Sequence, residues 1–335
     1  MGSTASALVI PLPLEEQSMI PPIMICGFKR PACLRQVVDA VRQIRAPKLY
    51  LVLDAPRDSR SDDQEGYEAC KRIFDGIDWP CEVHRNYAKR NMGCGARMTT
   101  GISWVFEHED RAIILEDDCV PHQSFFRFCD ELLEKYAMDN RIGMISGTCE
   151  HYHKAKLYGE GQSYYFDRMC LVWGWATWRR AWRNHDPEMR DFPRLRESRM
   201  MINVLKKSRY LKQWERNVQR IYDKKQNTWA GAWAYTLYRE GQLIAHPVSN
   251  PIRNIGASVS SRDAKCRREF PLPGHMSGRN EQIVFPLKHP ISFIPDETSE
   301  RYCFEETLYV SKFRKAVSHP LIAIQRLMSL LGKTR

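Results

Sequence analysis

The chain has 335 residues, 43% of them apolar and 27% charged, with a formal net charge of +11. This composition suits one large α/β domain, or one domain with an appendage, and no stretch reaches the roughly eighteen apolar residues of a membrane-spanning helix. The N-terminal apolar run, residues 7–14, is short, broken by prolines and without a basic leader, so we expect no signal peptide.

The chain contains eleven cysteines, with no Cys-x-x-Cys pair and no Cys/His spacing typical of zinc sites. We therefore expect reduced thiols, which pack as small apolar side chains, and a cytoplasmic protein. The positive charge implies anionic partners. Because basic residues are spread over the chain and do not alternate with aromatic ones, we expect no nucleic acid; a nucleotide-sugar diphosphate and anionic lipid headgroups fit the charge equally well.

The first third of the chain alternates between short apolar runs and segments with apolar residues at helical spacing. A strand followed by a helix and a second strand requires a right-handed crossover and parallel pairing of the two strands. The strands should therefore end on one edge of one sheet. The predicted strands are residues 23–28, 49–54, 81–85 and the run of four apolar residues 112–115, and the predicted helices begin at Pro31 and span 61–77 and 94–107.

The fourth predicted strand ends in three consecutive carboxylates, Glu116, Asp117 and Asp118. In open α/β sheets, ligands bind outside the carboxyl ends of the strands. Adjacent carboxylates repel each other unless a cation or backbone donors offset them. Mg²⁺ or Mn²⁺ is often held by one or two carboxylates together with the phosphates of a nucleotide. The residues alone also fit a solvated acidic turn.

The other predicted strand ends also carry side chains suited to a nucleotide. They are Gly27, Phe28 and Arg30 after the first strand, Asp54 after the second, and Asn91 and Gly93 after the third. A glycine allows close backbone approach, an arginine pairs with phosphate oxygens, and an aspartate accepts hydrogen bonds from a base or ribose. The motifs G-x-G-x-x-G and G-x-x-x-x-G-K-[ST] are absent, which argues against a dinucleotide dehydrogenase and a P-loop enzyme.

The order of these predicted strands and of the side chains at their ends resembles the nucleotide-sugar half of GT-A glycosyltransferases. The resemblance is to the family 2 type and more closely to the N-acetylglucosaminyltransferase I type. Residues 28–31 match the turn under the nucleotide, with Lys29 in place of an asparagine; Asp54 matches the aspartate at the base; residues 116–118 match the Glu-Asp-Asp signature. The resemblance implies an α/β GT-A fold with a mostly parallel central sheet and flanking helices. It also implies Asp118 as the ligand of Mn²⁺ or Mg²⁺, with Glu116 and Asp117 facing the ribose and sugar.

A tryptophan-rich stretch occupies residues 173–182. The flat apolar faces and indole N–H groups of tryptophan suit a sugar. The alternative is a helix packed on the sheet, because Trp175, Trp178 and Trp182 share one helical face. By the resemblance, the wall around the donor sugar and the acceptor comprises Trp173, Gly174, Trp175, Trp229 and Trp233.

The catalytic base is unassigned. In the N-acetylglucosaminyltransferase I type, the segment matching Trp229–Trp233 carries two acids and supplies the base, whereas this chain has Ala230 and Gly231 there. An inverting transfer needs a carboxylate that takes the acceptor proton. Each candidate also suits a salt bridge or a loop, and a retaining mechanism stays open. The weak candidates are Glu150, Asp167, Asp186 and Asp191.

The second half of the predicted domain, residues 122–260, contains fewer motifs that indicate a function. Residues 186–200 fit either a mobile loop that closes on substrate or a plain surface connection. Helical spacing predicts an amphipathic helix over 123–136, a long basic helix over 201–226 and a further helix from Thr228. Two more strands are predicted over 142–147 and 243–247.

Beyond Gly256 the chain is basic and rich in loops. His275 and His289 fit either a completed metal site or the surface. Residues 313–335 mix apolar and basic side chains and fit either a peripheral membrane contact or docking on the domain. We divide the chain into a flexible N-terminus (1–20), a GT-A domain (21–260, with halves 21–121 and 122–260) and a basic C-terminal extension (261–335).

The sequence thus predicts a metal-dependent glycosyltransferase that moves a sugar from a nucleotide-diphosphate donor to a glycan or lipid-linked acceptor. Among such donors we expect a UDP-sugar. It would act in the cytoplasm, at the inner face of a membrane if the C-terminus contacts lipid. The alternative is a non-catalytic nucleotide-sugar-binding module that has lost its base.

Overall fold

A computed structural model describes residues 20–149, 161–226, 228–256 and 280–308. It contains an eight-stranded sheet of order β3-β2-β1-β4-β8-β6-β9-β7 and a two-stranded ribbon of β10 and β5. The strands are β1 Ile23–Gly27, β2 Lys48–Leu53, β3 Glu82–Tyr87, β4 Arg111–Glu116, β5 Cys119–Pro121, β6 Ile142–Ser146, β7 Tyr164–Asp167, β8 Trp175–Trp178, β9 Leu243–Pro247 and β10 Ile252–Asn254.

Helices cover both faces of the sheet. They are α1 Pro31–Gln43, α2 Ser61–Asp75, α3 Gly93–His108, α4 Gln123–Lys135, α5 Arg179–Trp182, α6 Phe192–Ser198, α7 Ile202–Leu205, α8 Ser208–Tyr222, α9 Trp229–Arg239 and α10 Glu297–Tyr302, followed by a π-helical turn at Cys303–Leu308. The fold class predicted from the sequence, α/β with a mostly parallel central sheet and flanking helices, is confirmed.

The sheet is parallel in its first half. β2 pairs with β1 and β3, and β1 pairs with β4, all in parallel. β8 runs antiparallel to both of its neighbours, β4 and β6, and β7 runs antiparallel to β9 at the edge. β1 is apolar along its whole length because helices cover both faces of a parallel sheet, so successive side chains enter opposite cores.

Two hydrophobic cores lie on either side of the sheet. The first joins Ile23 and Ile25 of β1 with the apolar faces of α1, α2 and α4. The second joins Met24 and Cys26 of the same strand with α3, α5 and α9. The alternation of one strand between two cores follows from the two-residue period of a β-strand.

The structure corrects one predicted helix in the acceptor half and decides two points that the sequence left open. Residues 175–178 form a strand, not a helix, because they fill the gap between β4 and β6. The predicted helix over 201–226 is divided into α7 and α8 where Lys206 adopts a left-handed conformation (φ 50°). The segment 186–200 contains a helix of its own, α6.

Part of the predicted C-terminal extension packs on the sheet. Asp296 donates its backbone N–H to Phe166 O of β7 (2.7 Å) and caps α10 by accepting the N–H groups of Thr298 and Ser299. Arg168 pairs with Glu300 (2.7 Å). Residues 280–308 therefore belong to the folded body formed around β7.

Candidate active site

The predicted strand ends meet where the sheet order reverses. From β1 the chain adds β2 and β3 on one side and β4 on the other. The carboxyl ends of β1 and β4 are direct neighbours, with Cys26 opposite Glu116. This point is where open α/β sheets leave a crevice for a ligand.

One arginine joins two acids of the triplet. The Arg30 guanidinium, at the end of β1, donates to both oxygens of Asp117 and reaches Asp118 Oδ2 at 2.7 Å. Asp117 is buried, and about a third of the Arg30 side chain is exposed. Two carboxylates thus contact one guanidinium, and Glu116 precedes them in the chain, so negative charge outnumbers positive charge at this point.

The pKa values of the cluster respond to burial and to the neighbouring charges. Burial, then Asp118 and Asp117, raise the pKa of Glu116 to about 8. Burial also raises the pKa of Asp117, although Arg30 opposes it. Burial disfavours the charge of Arg30, but Asp117 and Asp118 outweigh it and raise the pKa of the guanidinium above its usual range. Burial is thus the first cause of both raised carboxyl pKa values, and the neighbouring negative charges add to it.

The donor set limits how a metal could be held. Within the described ranges, no group of three or more His, Cys, Asp or Glu side chains is arranged for a metal ion. Asp118 and Glu116 can supply one or two carboxylate ligands, and Mg²⁺ and Mn²⁺ commonly complete their shell with waters and substrate phosphates. The residues therefore suit a cation only where waters or phosphates supply most of its ligands.

Gly256 is a site residue that the sequence did not reveal. The β5–β10 ribbon brings it over Asp118, and Ile255 donates its N–H to Asp118 O (2.9 Å). A Cβ at position 256 would lie 2.2 Å from Asp118 Oδ2 and 3.0 Å from Arg30 Nη1. Only glycine leaves this pair intact, yet no local pattern relates residues 118 and 256.

Asp54 has a structural task in place of the expected contact with a base. Its two oxygens accept the backbone N–H groups of Ala55, Met92 and Gly93 and the Asn91 side-chain amide, at 2.9–3.2 Å. Four donors satisfy the carboxylate, which is buried. Asp54 therefore places a negative charge at the N-terminus of α3, where the helix dipole favours it. Its hydrogen bonds hold Asn91 and Gly93 at the rim of the crevice.

The turn after β1 is held by charge. Lys29 pairs with Asp62 and Asp63 of α2 at 3.2 and 2.5 Å, and Arg57 lies over the Phe28 ring at 5.7 Å. These contacts place Phe28 beside the crevice. At Gly27 a Cβ would meet its nearest neighbours at 3.5 Å or more, so packing alone does not require glycine there.

Most of the predicted tryptophan wall is hydrophobic core, which corrects that prediction. Trp175 stacks on Trp229 (ring centroids 5.6 Å apart) and contacts Trp233 (5.9 Å), and all three are buried between the sheet, α3 and α9. The positions of Trp173 and Gly174 differ from those of the three buried tryptophans. The β4–β8 register, continued from the pair Ile114 and Trp175, puts them level with Leu115 and Glu116, and Trp173 is only half-buried.

The candidate bases also need correction. Asp167 ends the antiparallel strand β7, at the opposite end of the sheet from the triplet and four strands away, about 20 Å across the sheet. It bonds Ser299 Oγ at 2.6 Å and His246 Nε2 at 2.8 Å. Asp186 accepts backbone N–H groups in a turn, and Asp191 bonds Tyr235 and Arg239. Glu150 lies outside the described residues.

His289 does not contribute to the triplet. It lies by β7, where Nδ1 is 2.9 Å from the Tyr164 hydroxyl and Nε2 is 3.6 Å from Glu131. Of the two alternatives for His289, a completed metal site and a surface position, its place by β7 at the far edge of the sheet favours the second. His275 and residues 313–335 lie outside the described ranges.

The sequence matches no protein-family model and no curated protein. Among solved structures it is similar to apo UDP-glucose pyrophosphorylase (TM-score 0.34, 9% identity, 68% of this chain and 90% of that chain). It is also similar to UDP-glucose pyrophosphorylase complexed with UDP-glucose (0.32, 9%, 50% and 81%) and to apo mouse xyloside xylosyltransferase 1 (0.29, 11%, 65% and 80%). At these TM-scores and identities the likenesses leave the activity open.

The sheet and its strand ends give the chain the α/β architecture with a mostly parallel central sheet that was predicted from its sequence. None of the three structures above is an N-acetylglucosaminyltransferase I, so that finer resemblance stays a prediction. In the described part of the chain, no helix is long and apolar enough to cross a bilayer.

Proposed function

We propose that this protein binds a nucleotide-diphospho-sugar together with a divalent cation at the β1–β4 crevice and transfers the sugar to an acceptor. The observation that carries the proposal is the Arg30–Asp117–Asp118 cluster at the reversal of the strand order, beside Glu116. A cluster with excess negative charge and one partly exposed guanidinium suits a cation and a diphosphate bound side by side.

Each residue of the crevice has a definite task in this proposal. Asp118 would hold the cation, whose charge would stabilise the departing diphosphate. Asp117 orients Arg30, which can turn its exposed nitrogen toward a phosphate oxygen. Trp173, level with Glu116, would border the sugar, and the loop of Asn91 and Gly93 would border the nucleoside.

The acceptor would be a glycan or a lipid-linked glycan. None of the three described base candidates contacts the triplet. Because these three candidates lie elsewhere, the protein could also be a binding module that retains the donor site and does not transfer the sugar. Product formation distinguishes the two functions.

Asp118→Asn tests the metal-dependent site. The neutral amide keeps the size of the side chain but loses the charge, so we expect the thermal stabilisation by UDP-sugars with Mn²⁺ to disappear. The measurement is a thermal-shift panel of UDP-, GDP-, CDP- and TDP-sugars with Mn²⁺ or with EDTA. Asp110→Asn, at the exposed start of the same strand, is the matched control and should respond like the unmodified chain.

No Mn²⁺-dependent shift with any donor would contradict the proposal. A shift accompanied by release of nucleoside diphosphate upon addition of acceptor supports transfer. A shift without release under any acceptor supports the binding module.

A further inference from the structure

The helices beyond the sheet carry a strong concentration of positive charge. Residues 190–225 contain twelve Lys or Arg residues against four Asp or Glu. All twelve basic side chains are exposed. Basic residues are thus gathered on α6–α8, contrary to the even spread expected from the sequence.

The charge forms a stripe on the outer face of α8. Its buried face consists of Tyr210, Trp214 and Val218. Lys212, Arg216 and Arg220 recur every four residues on the opposite face, where no described carboxylate forms an ion pair with them. Charges left unpaired on a folded surface remain available to an external anion.

A groove concentrates part of this charge. Arg196 of α6 donates to the Gln219 side chain of α8, so the two helices lie side by side. Between them lies a cavity of about 370 Å³, lined by Arg196, Lys212, Glu215, Arg216 and Gln219. Three cations against one carboxylate make it suitable for a phosphate group.

One apolar side chain is well exposed among these cations. Met200, which follows Arg199 between α6 and α7, is 62% exposed. Apolar tips among cations are typical of surfaces that dock at the headgroup layer of a membrane. A nucleic-acid surface would instead expose aromatic platforms for bases, but Phe192, Tyr210 and Trp214 are buried here.

We propose that the face formed by α6, α7 and α8 docks on membranes that contain anionic phospholipids, with a lipid phosphate in the α6–α8 groove. Arg196, Lys212 and Arg216 bind the phosphate, and Met200 enters the headgroup layer. The proposal does not depend on the proposed sugar transfer, because none of these residues lies at the β1–β4 crevice.

The experiment is flotation of the full chain with phosphatidylcholine vesicles, with or without about one third phosphatidylglycerol. We expect binding only to the anionic vesicles, and loss of binding near 0.5 M salt, where charges are screened within about 4 Å. The double variant Lys212→Glu/Arg216→Glu should lower the partition coefficient at least about tenfold.

The matched control is Arg35→Glu/Arg72→Glu, which makes the same change of net charge at exposed positions of α1 and α2. It should bind vesicles like the unmodified chain, and the melting temperature of each variant verifies its fold. Equal loss of binding in both variants would overturn the proposal, because net charge alone would then explain the attraction. So would absence of vesicle binding, or binding to RNA in preference to anionic vesicles.

Discussion

Arg30 is the residue that sets the charge balance of the crevice. It bonds both oxygens of Asp117 and one oxygen of Asp118, so the two acids share one counterion. A divalent cation at Asp118 would replace this arginine contact and free part of the guanidinium for a phosphate. The arginine and the cation are thus alternative partners of the same carboxylate.

Arg30→Ala tests this competition. Loss of the guanidinium leaves carboxylates without a partner, so we expect the free energy of unfolding in EDTA to fall by about 1–3 kcal/mol. Mn²⁺ alone should then raise the melting temperature more than in the unmodified chain. Arg35→Ala, one turn further along α1 and exposed, is the control. Equal Mn²⁺ shifts in the two variants would disprove competition at Asp118.

Glu116 should make the stability of the cation-free protein depend on pH. Its pKa is about 8 in the folded state against 4.5 for an ordinary glutamate, so between these values the unfolded chain has lost a proton that the native state retains. The free energy of unfolding should therefore fall as the pH rises through this window, by at most about 1.4 kcal/mol per pH unit.

Urea unfolding in EDTA at a series of pH values measures this dependence. Glu116→Gln should flatten the decline because an amide does not titrate, whereas Glu107→Gln, at an exposed position of α3, should keep it. A decline of unchanged slope in Glu116→Gln would assign the pH dependence to other groups.

At the scale of elements, β8 decides the role of the tryptophans. As a central strand between β4 and β6, it directs Trp175 into the core against α9 and leaves Trp173, before its first residue, near the crevice. The helical face that Trp175, Trp178 and Trp182 share in sequence does not exist in the fold, because Trp175 and Trp178 belong to a strand.

Trp175→Ala and Trp173→Ala should therefore have different effects. Removal of the buried Trp175 ring should lower the free energy of unfolding by about 3–5 kcal/mol. Trp173→Ala should change stability much less because its side chain is only half-buried, and under the proposed function it should weaken donor binding more. Denaturation and donor titration of both variants measure the two effects. Comparable losses of stability in the two variants would contradict the assignment of Trp175 to the core and of Trp173 to the donor site.

At the scale of the molecule, residues 280–308 extend the body past the last strand of the sheet. Phe304 is buried and stacks on Tyr210 of α8 with ring centroids 4.7 Å apart. Ser299 and Glu300 bond Asp167 and Arg168 at the end of β7. The C-terminal part thus joins the edge of the sheet to the basic helices.

Phe304→Ala should consequently destabilise the whole fold, by about 3 kcal/mol. Ile294→Ala provides the control because its side chain is 78% exposed, and it should change stability by less than about 0.5 kcal/mol. Equilibrium unfolding of the two variants provides the comparison. A Phe304→Ala variant as stable as the control would show that this segment adds nothing to the fold.

Local patterns in the sequence were enough to predict the elements of the first half and the position of the triplet. Apolar runs and helical spacing are local properties, and the order strand, helix, strand allows only parallel pairing with the strand ends on one edge. These predictions were correct for β1 to β4 and for α1 to α3.

The contacts between side chains could be identified from the folded protein alone. Arg30 meets Asp117 across 87 residues of chain, Gly256 covers Asp118, and Asp54 bonds Asn91 and Gly93. The tryptophans of β8 and α9 likewise enter one core from distant segments. Side-chain periodicity says which residues are apolar or charged, but the partner of each one depends on the packing of elements that the sequence keeps far apart.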